Sequence, residues 1–263
     1  MTKREYAEQV AVMVNGKVVE MEKANGVVMT GVTPIDKRKV SPIVYIDTAF
    51  DNGVSVEDAA SDVEATFNKE VEGMDVDFML DYAKVKPRLR VALYNKKTKA
   101  PMSKSALDYG FPDLIMVPYV TFGNVNGSFA TTKVREDMLD SWGKTADEIY
   151  ADALDNIDTD IVPMDDMLAS LMGSYAPTEI NMDMFVVSNT DRCLGAISVI
   201  KAHDKLKETF PEGYYVIPSS IHEVIVVSKD NIMYDALNNM ICEVNATQLA
   251  PDEVLSNIPY SFN

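Results

Sequence analysis

The chain has 263 residues, enough for one large domain or two small ones, and a chain of this size buries about 75% of its unfolded surface. With 47% hydrophobic and 25% charged residues it is an ordinary globular composition, so no disulfide framework or metal is needed to hold a core. A net charge of -17 argues against direct binding to nucleic acid or to an anionic membrane.

Residues 3–14 read as a short amphipathic helix, although Asn15-Gly16 at its end is equally a hairpin turn. Apolar runs at 18–21 and 27–30 flank Asn25-Gly26, a strong hairpin signal because both residues tolerate positive φ. Pro42 to Ile46 reads as a buried strand. Ser55 with Asp58 caps a helix whose Val56, Ala59, Ala60, Val63 and Phe67 recur at helical spacing, and Gly73 ends it. Lys84 to Tyr94 reads as a strand, more an edge than a centre because of Pro87. Leu114 to Thr121 reads as another strand, with Gly127 to Thr131 returning beside it.

Three helices follow: Val134 to Trp142 closed by Gly143, a second opened by a Thr145/Glu148 capping box, and a third opened by Pro163. Met184 to Val187, Tyr214 to Ile217 and Val224 to Val227 are continuously apolar strands, as expected of a sheet covered on both faces. Leu194 to Phe210 is a helix, and so is Ile232 to Val244, with Met233, Leu237, Met240, Ile241 and Val244 facing inward. The order is mixed, so the expected class is α+β: a mixed central sheet with packed helices. It forms one domain over 1–263 or two closely packed lobes divided near 176.

Charge is segregated along the chain. From Lys84 to Lys104 there are eight basic residues and no acidic ones, and Lys84, Lys86, Arg88 and Arg90 alternate with apolar neighbours. On a strand, period two puts these four cations on one face, which suits a phosphate, a nucleotide or an acidic partner, or simply solvent and acidic side chains elsewhere in the molecule. Residues 136–192 hold fourteen acidic residues against two basic ones, and Glu148, Asp152 and Asp155 share a helix face. Such a ridge suits a basic protein partner or a solubilising surface. The cluster Asp155, Asp158 and Asp160 lacks the glycine and terminal glutamate of a calcium loop.

Chemistry-bearing motifs are few. The two histidines, His203 and His222, rule out a three-histidine metal site, and there is no H-E-x-x-H, nucleophile elbow, phosphate loop or dinucleotide fingerprint, so no metal or cofactor is expected. His203 reads as a surface or boundary residue of its helix. The residual candidate is Ser219, Ser220, His222 and Glu223 between two buried strands, which reads either as turn chemistry or as a hydrolase with a serine nucleophile and His222 as base. Cys193 is a weaker nucleophile candidate, with Arg192 the neighbour able to lower its pKa. Met164, Met167, Leu168, Leu171 and Met172 form a stripe that suits core or an adaptable partner. Cys193 and Cys242 form no C-x-x-C pair and fit a reducing compartment. Glu5 beside Lys3 and Arg4, and the shortness of the apolar run at 10–14, are unlike a signal peptide, and no stretch approaches the roughly 20 apolar residues of a membrane helix. The expected location is the cytoplasm.

Two C-terminal blocks, Tyr215 to Ile225 around Ile217-Pro218-Ser219-Ser220-Ile221-His222-Glu223, and Glu243 to Ser256 around Glu243-Val244-Asn245-Ala246-Thr247-Gln248, carry a resemblance. With Val186-Val187-Ser188-Asn189 followed by Leu194-Gly195-Ala196, and Ser41 to Ile46 upstream, the chain resembles a bacterial family of unknown function. The resemblance implies a bacterial cytoplasmic α+β protein with no established activity, substrate or cofactor, and draws attention to Asn245 as well as to the Ser219–Glu223 turn. The expected function is a non-enzymatic binding or regulatory protein that meets another protein through charged surfaces. The alternatives are the Ser/His hydrolase and a phosphate or nucleotide sensor built on 84–90.

Overall fold

The computed structural model describes residues 1–35, 41–68, 76–125, 128–172, 183–230 and 232–263. The chain divides into two compact units, Met1–Met74 and Asp75–Asn263. The expected lobe boundary near 176, and Gly73 as a helix stop, lie outside the described residues.

In the first unit, helix α1 (Lys3–Met13) starts at a full capping box: Thr2 Oγ1 accepts from Glu5 N, and Glu5 reaches back to Thr2 N. Strands β1 (Gly16–Glu22) and β2 (Val28–Pro34) form the expected antiparallel hairpin. Asn25 and Gly26 turn it at φ 59° and 74°, the positive φ for which these residues are suited, and Lys23 N closes the loop on Val27 O at 2.7 Å. The expected buried strand around Ile43 shortens to β3 (Val44–Tyr45), half-buried on the edge of β2. Pro42 supplies no ladder donor, and Ile46 leaves the strand to open α2 (Asp47–Asp51). Helix α3 (Val56–Asn68) begins with Ser55 and Asp58 bonded to each other as a cap, and buries Ala59, Ala60, Val63 and Phe67. They join Tyr6, Val10 and Val32 in one core.

The second unit opens with a 3-10 turn at Asp77–Leu80, then α4 (Tyr82–Val85) and a further 3-10 turn at Lys86–Arg88, which runs into β4 (Leu89–Asn95). Strand β6 (Leu114–Val125) pairs with β4 on one edge, and with the short β5 (Lys104–Ser105) and β7 (Ser128–Lys133) on the other. Helices α5 (Glu136–Trp142) and α6 (Ala146–Asp155) follow. Gly143 ends α5 at φ 60°, and the Thr145/Glu148 box starts α6 as the spacing predicts. Tyr150 of α6 is buried and donates to Met116 O in β6 at 3.1 Å.

The remaining strands are β8 (Asp160–Pro163), β9 (Met184–Ser188), β10 (Tyr214–Ile217), β11 (Val224–Ser228) and β12 (Tyr260–Phe262), in the order β12-β10-β11-β9-β8. Helix α7 (Met164–Met172) follows β8, and the side chains of Leu171 and Met172 lie outside the described residues. Helix α8 (Ser198–Thr209) and helix α9 (Tyr234–Thr247) cover opposite faces of this sheet. Leu237 and Ile241 of α9 meet Ile217 and Val227 on one face, while Phe210 and His203 meet Phe185 and Tyr214 on the other.

The α+β class is as expected, but the strands form three sheets with every described pair antiparallel, where one mixed sheet was expected. Of the residues expected inward on α9, only Leu237 and Ile241 are buried; Met233, Met240 and Val244 are 78%, 42% and 41% exposed. Their helical spacing makes a broad apolar stripe, and the sheet is wide enough to cover only its centre.

Candidate functional site

All three sequence blocks of the second unit meet at His222. The turn from Pro218 to Glu223 joins β10 to β11 and closes through Ser219 N to Ile217 O at 2.9 Å and Ser220 N to Glu223 O at 3.1 Å. Ser220 Oγ accepts from His222 N at 3.0 Å, so the buried serine serves the turn. From the β9–α8 loop, Ser188 Oγ donates to His222 O at 2.8 Å, and Leu194 N donates to His222 Nδ1 at 3.1 Å. From the block that ends at Ser256, Glu253 accepts from Ile221 N at 3.0 Å and holds its carboxylate 3.8 Å from His222 Nε2.

The loop between β9 and α8 is built to make these contacts. Arg192 and Leu194 adopt φ of 52° and 54°, where few side chains rest, and Asn189 fixes the bend by bonding both N and O of Cys193. A Cβ on Gly195 would lie 2.5 Å from Asn189 N, 2.7 Å from His222 O and nearer still to Ser188 Oγ. Only glycine permits this approach. Because Nδ1 accepts from a backbone N–H, the neutral imidazole carries its proton on Nε2, towards Glu253. No serine hydroxyl bonds to the ring among the described residues, and the half-buried Glu223 makes no side-chain bond there. Cys193 is equally unprepared for attack: burial, and then Asp191, push its thiol pKa up, while Arg192 bonds Asp160 at 2.6 Å. The arrangement joins three chain segments and leaves one imidazole edge half open.

The charged segments behave differently from their sequence pattern. Lys84, Lys86 and Arg88 lie in α4 and the 3-10 turn, and only Arg90 is on β4, so the single-faced cationic strand is not formed. Asp81 accepts from Ala83 N and starts the helical turn, and Pro87 occupies the early position of the 3-10 turn that suits its fixed φ. Lys84 lies 4.0 Å from Asp81, Arg88 stacks 4.5 Å over Phe78, and Arg90 donates to Pro87 O and Leu89 O. Lys86 bonds Asp152 at 2.8 Å, so the two oppositely charged segments meet each other.

On α6, Asp152 is 16% exposed, held low in pKa by Lys86 and then by the Tyr82 hydroxyl at 2.5 Å. Glu148 is pulled down to about 2 by Lys144, and then by Thr145. Asp155 is exposed and without an ion pair among the described residues. The calcium-like trio disperses: Asp158 bonds Thr190, and Asp160 bonds Arg192. Among the described residues no group of three His, Cys, Asp or Glu could hold a metal ion, and no helix is long and apolar enough to cross a membrane.

A cavity of about 300 Å³ opens elsewhere in the second unit, beside α8. Val199, Ile200 and His203 reach it from α8, and Tyr214 and Phe262 from β10 and β12. Those two rings are cross-strand partners, stacked 5.4 Å apart at 15°. Tyr214 OH and His203 Nδ1 are 2.6 Å apart, and burial, followed by Asp204, pushes the phenol up to about 12. The turn Leu107–Tyr109 brings Asp108 and Tyr109 to the mouth. Gly110 turns at φ 87°, where a Cβ would strike Phe262 at 2.7 Å. Among the described residues no lysine or arginine lines the cavity.

The model of DUF5688, a family of unknown function, matches residues 2–263. The chain belongs to this family. No curated protein and no solved structure matches it.

Within this DUF5688 chain, the blocks that carry the resemblance are the ones that interlock at His222, whereas the cavity draws on residues 108–111, 199–203, 214 and 262. Sequence reading missed those residues. Aromatic residues scattered over 150 positions carry no common spacing, and the one local signal was the Asp108-Tyr109-Gly110-Phe111 turn, where glycine follows an aromatic residue.

Proposed function

We propose that this DUF5688 chain is a non-enzymatic binding protein of the bacterial cytoplasm, whose ligand seat is the cavity beside α8. The observation that carries this reading is the cavity's lining: five aromatic rings, counting His203, and one carboxylate around about 300 Å³. Ligand sites are concave, mostly apolar and furnished with a few polar groups, and this volume is at the small end of their range. Two free thiols, Cys193 and Cys242, suit a reducing compartment.

The hydrolase alternative gains no such support. Catalysis needs a hydroxyl bonded to the imidazole, and here His222 Nδ1 and the Ser220 and Ser188 hydroxyls are engaged with backbone groups. The phosphate-sensor alternative loses its cationic strand to helical turns. A second reading, docking of a basic protein, is favoured by one observation. Glu136, Asp140, Asp155, Asp165 and Asp166 are exposed and make no ion pair among the described residues.

The test is a small-fragment screen by ligand-observed NMR on the full chain and on Ile200→Trp, which puts an indole into the cavity. Fragments that bind the wild type and are lost from a folded Ile200→Trp support the seat. Absence of any fragment sensitive to that substitution overturns it. For the second reading, reversing Glu136, Asp140 and Asp155 to lysine should abolish salt-sensitive capture of basic partners, and unchanged capture counts against it.

A further inference from the structure

We infer that the seat beside α8 takes a small organic cation, an ammonium group on an aromatic or alkyl body, with Asp108 at the mouth as its counter-charge. This rests on the reading of the cavity as a ligand seat and adds the ligand's charge and size. Three observations carry it. Aromatic rings are electron-rich, and Tyr109, Tyr214 and Phe262 all line one cavity, the last two stacked on each other. Among the described residues that line it, the acidic side chain is Asp108, and a second carboxylate, Asp204, is near enough to Tyr214 to act on its phenol. Among the described residues no lysine or arginine lines the space, so an anionic ligand would meet a carboxylate and aromatic rings without compensation there.

Size narrows the class. About 300 Å³ is at the small end of the range for ligand sites, which suits a small molecule. The Tyr214–His203 pair adds a polar spot to the wall, apart from the Asp108 carboxylate. The net charge of -17 favours approach of a cation over an anion to the molecule as a whole.

The experiment titrates the full chain by calorimetry, at neutral pH and low salt, with three probes of one shape. These are 2-phenylethylammonium, the neutral 2-phenylethanol and the anionic phenylacetate. The ammonium should bind about tenfold more tightly than the alcohol, and the carboxylate most weakly. Asp108→Asn, an exposed substitution that fills no space, should reduce the ammonium-to-alcohol ratio about threefold. Ile200→Trp should remove all binding, and Tyr109→Ala at the exposed mouth should weaken the ammonium even if Ile200→Trp fails to fold.

If the alcohol or the carboxylate binds as tightly as the ammonium and Ile200→Trp abolishes it, the charge assignment is wrong while the seat stands. Binding of none of the three overturns both. Ammonium binding that is unaffected by Asp108→Asn, Tyr109→Ala and Ile200→Trp assigns the cation to the acidic surface and overturns the inference.

Discussion

Gly195 carries the tightest backbone approach around His222. Its missing Cβ leaves room for Ser188 Oγ, Asn189 N and His222 O, two of which are main-chain atoms that cannot rotate away. Gly195→Ala should therefore destabilise the protein by about 3 kcal/mol, read as a lowered urea midpoint at unchanged slope. A change below a few tenths of a kcal/mol would mean that the loop moves freely. This importance was only partly legible: Gly195 belongs to a recognised block, but its φ is not positive, so no turn rule demands glycine there. The need comes from main-chain atoms of Asn189, six positions back, and of His222, 27 positions on.

Local chemistry at helix ends was the most legible part of the elements. The Thr145/Glu148 box is present in full, with Thr145 Oγ1 accepting from Glu148 N and Glu148 accepting from Thr145 N at 2.9 Å. Thr145→Ala should cost about 1 kcal/mol of stability. It should also let the Glu148 carboxyl rise from about 2 towards its ordinary value, with Lys144 still holding it down. A carboxyl titration followed by NMR checks this: an unmoved Glu148 would assign the whole depression to Lys144. The sign follows from the lowered pKa: the joint contribution of Lys144 and the box is present above the ordinary value of 4.5 and is lost as the pH falls towards 2.

The segment at 84–90 shows the same local chemistry working against a periodic pattern. Alternating cations and apolar residues satisfy a strand, yet Asp81 and Pro87 are helix-start residues, and a cap and a fixed φ act on the backbone directly. Period-two alternation over so short a run constrains only side chains.

Across the whole molecule, tyrosine burial sets the behaviour at high pH. Burial is the first cause that raises the pKa of Tyr94 and Tyr214, each to about 12, and also of Tyr119, Tyr150 and Tyr260. A raised folded-state pKa means that the unfolded chain releases these protons first. Their contribution is complete below the ordinary value of 10 and is lost as the pH climbs towards 12. The urea midpoint should hold level up to about pH 10 and then fall, while folded protein shows a delayed tyrosinate absorbance. A single tyrosinate step at 10 in folded protein would contradict this burial.

The sequence by itself determined the α+β class, the hairpin at Asn25-Gly26, the capped helices and the apolar strands of the last sheet. Each of these depends on residues within about a dozen positions, where φ preference, capping and periodicity act directly. Tertiary structure alone decided that Lys86 answers Asp152, that Leu194 N engages His222 Nδ1, and that Tyr109, Tyr214 and Phe262 share a cavity. Those pairings join positions 28 to 153 residues apart, and charge, imidazole or ring alone does not specify which distant neighbour completes it.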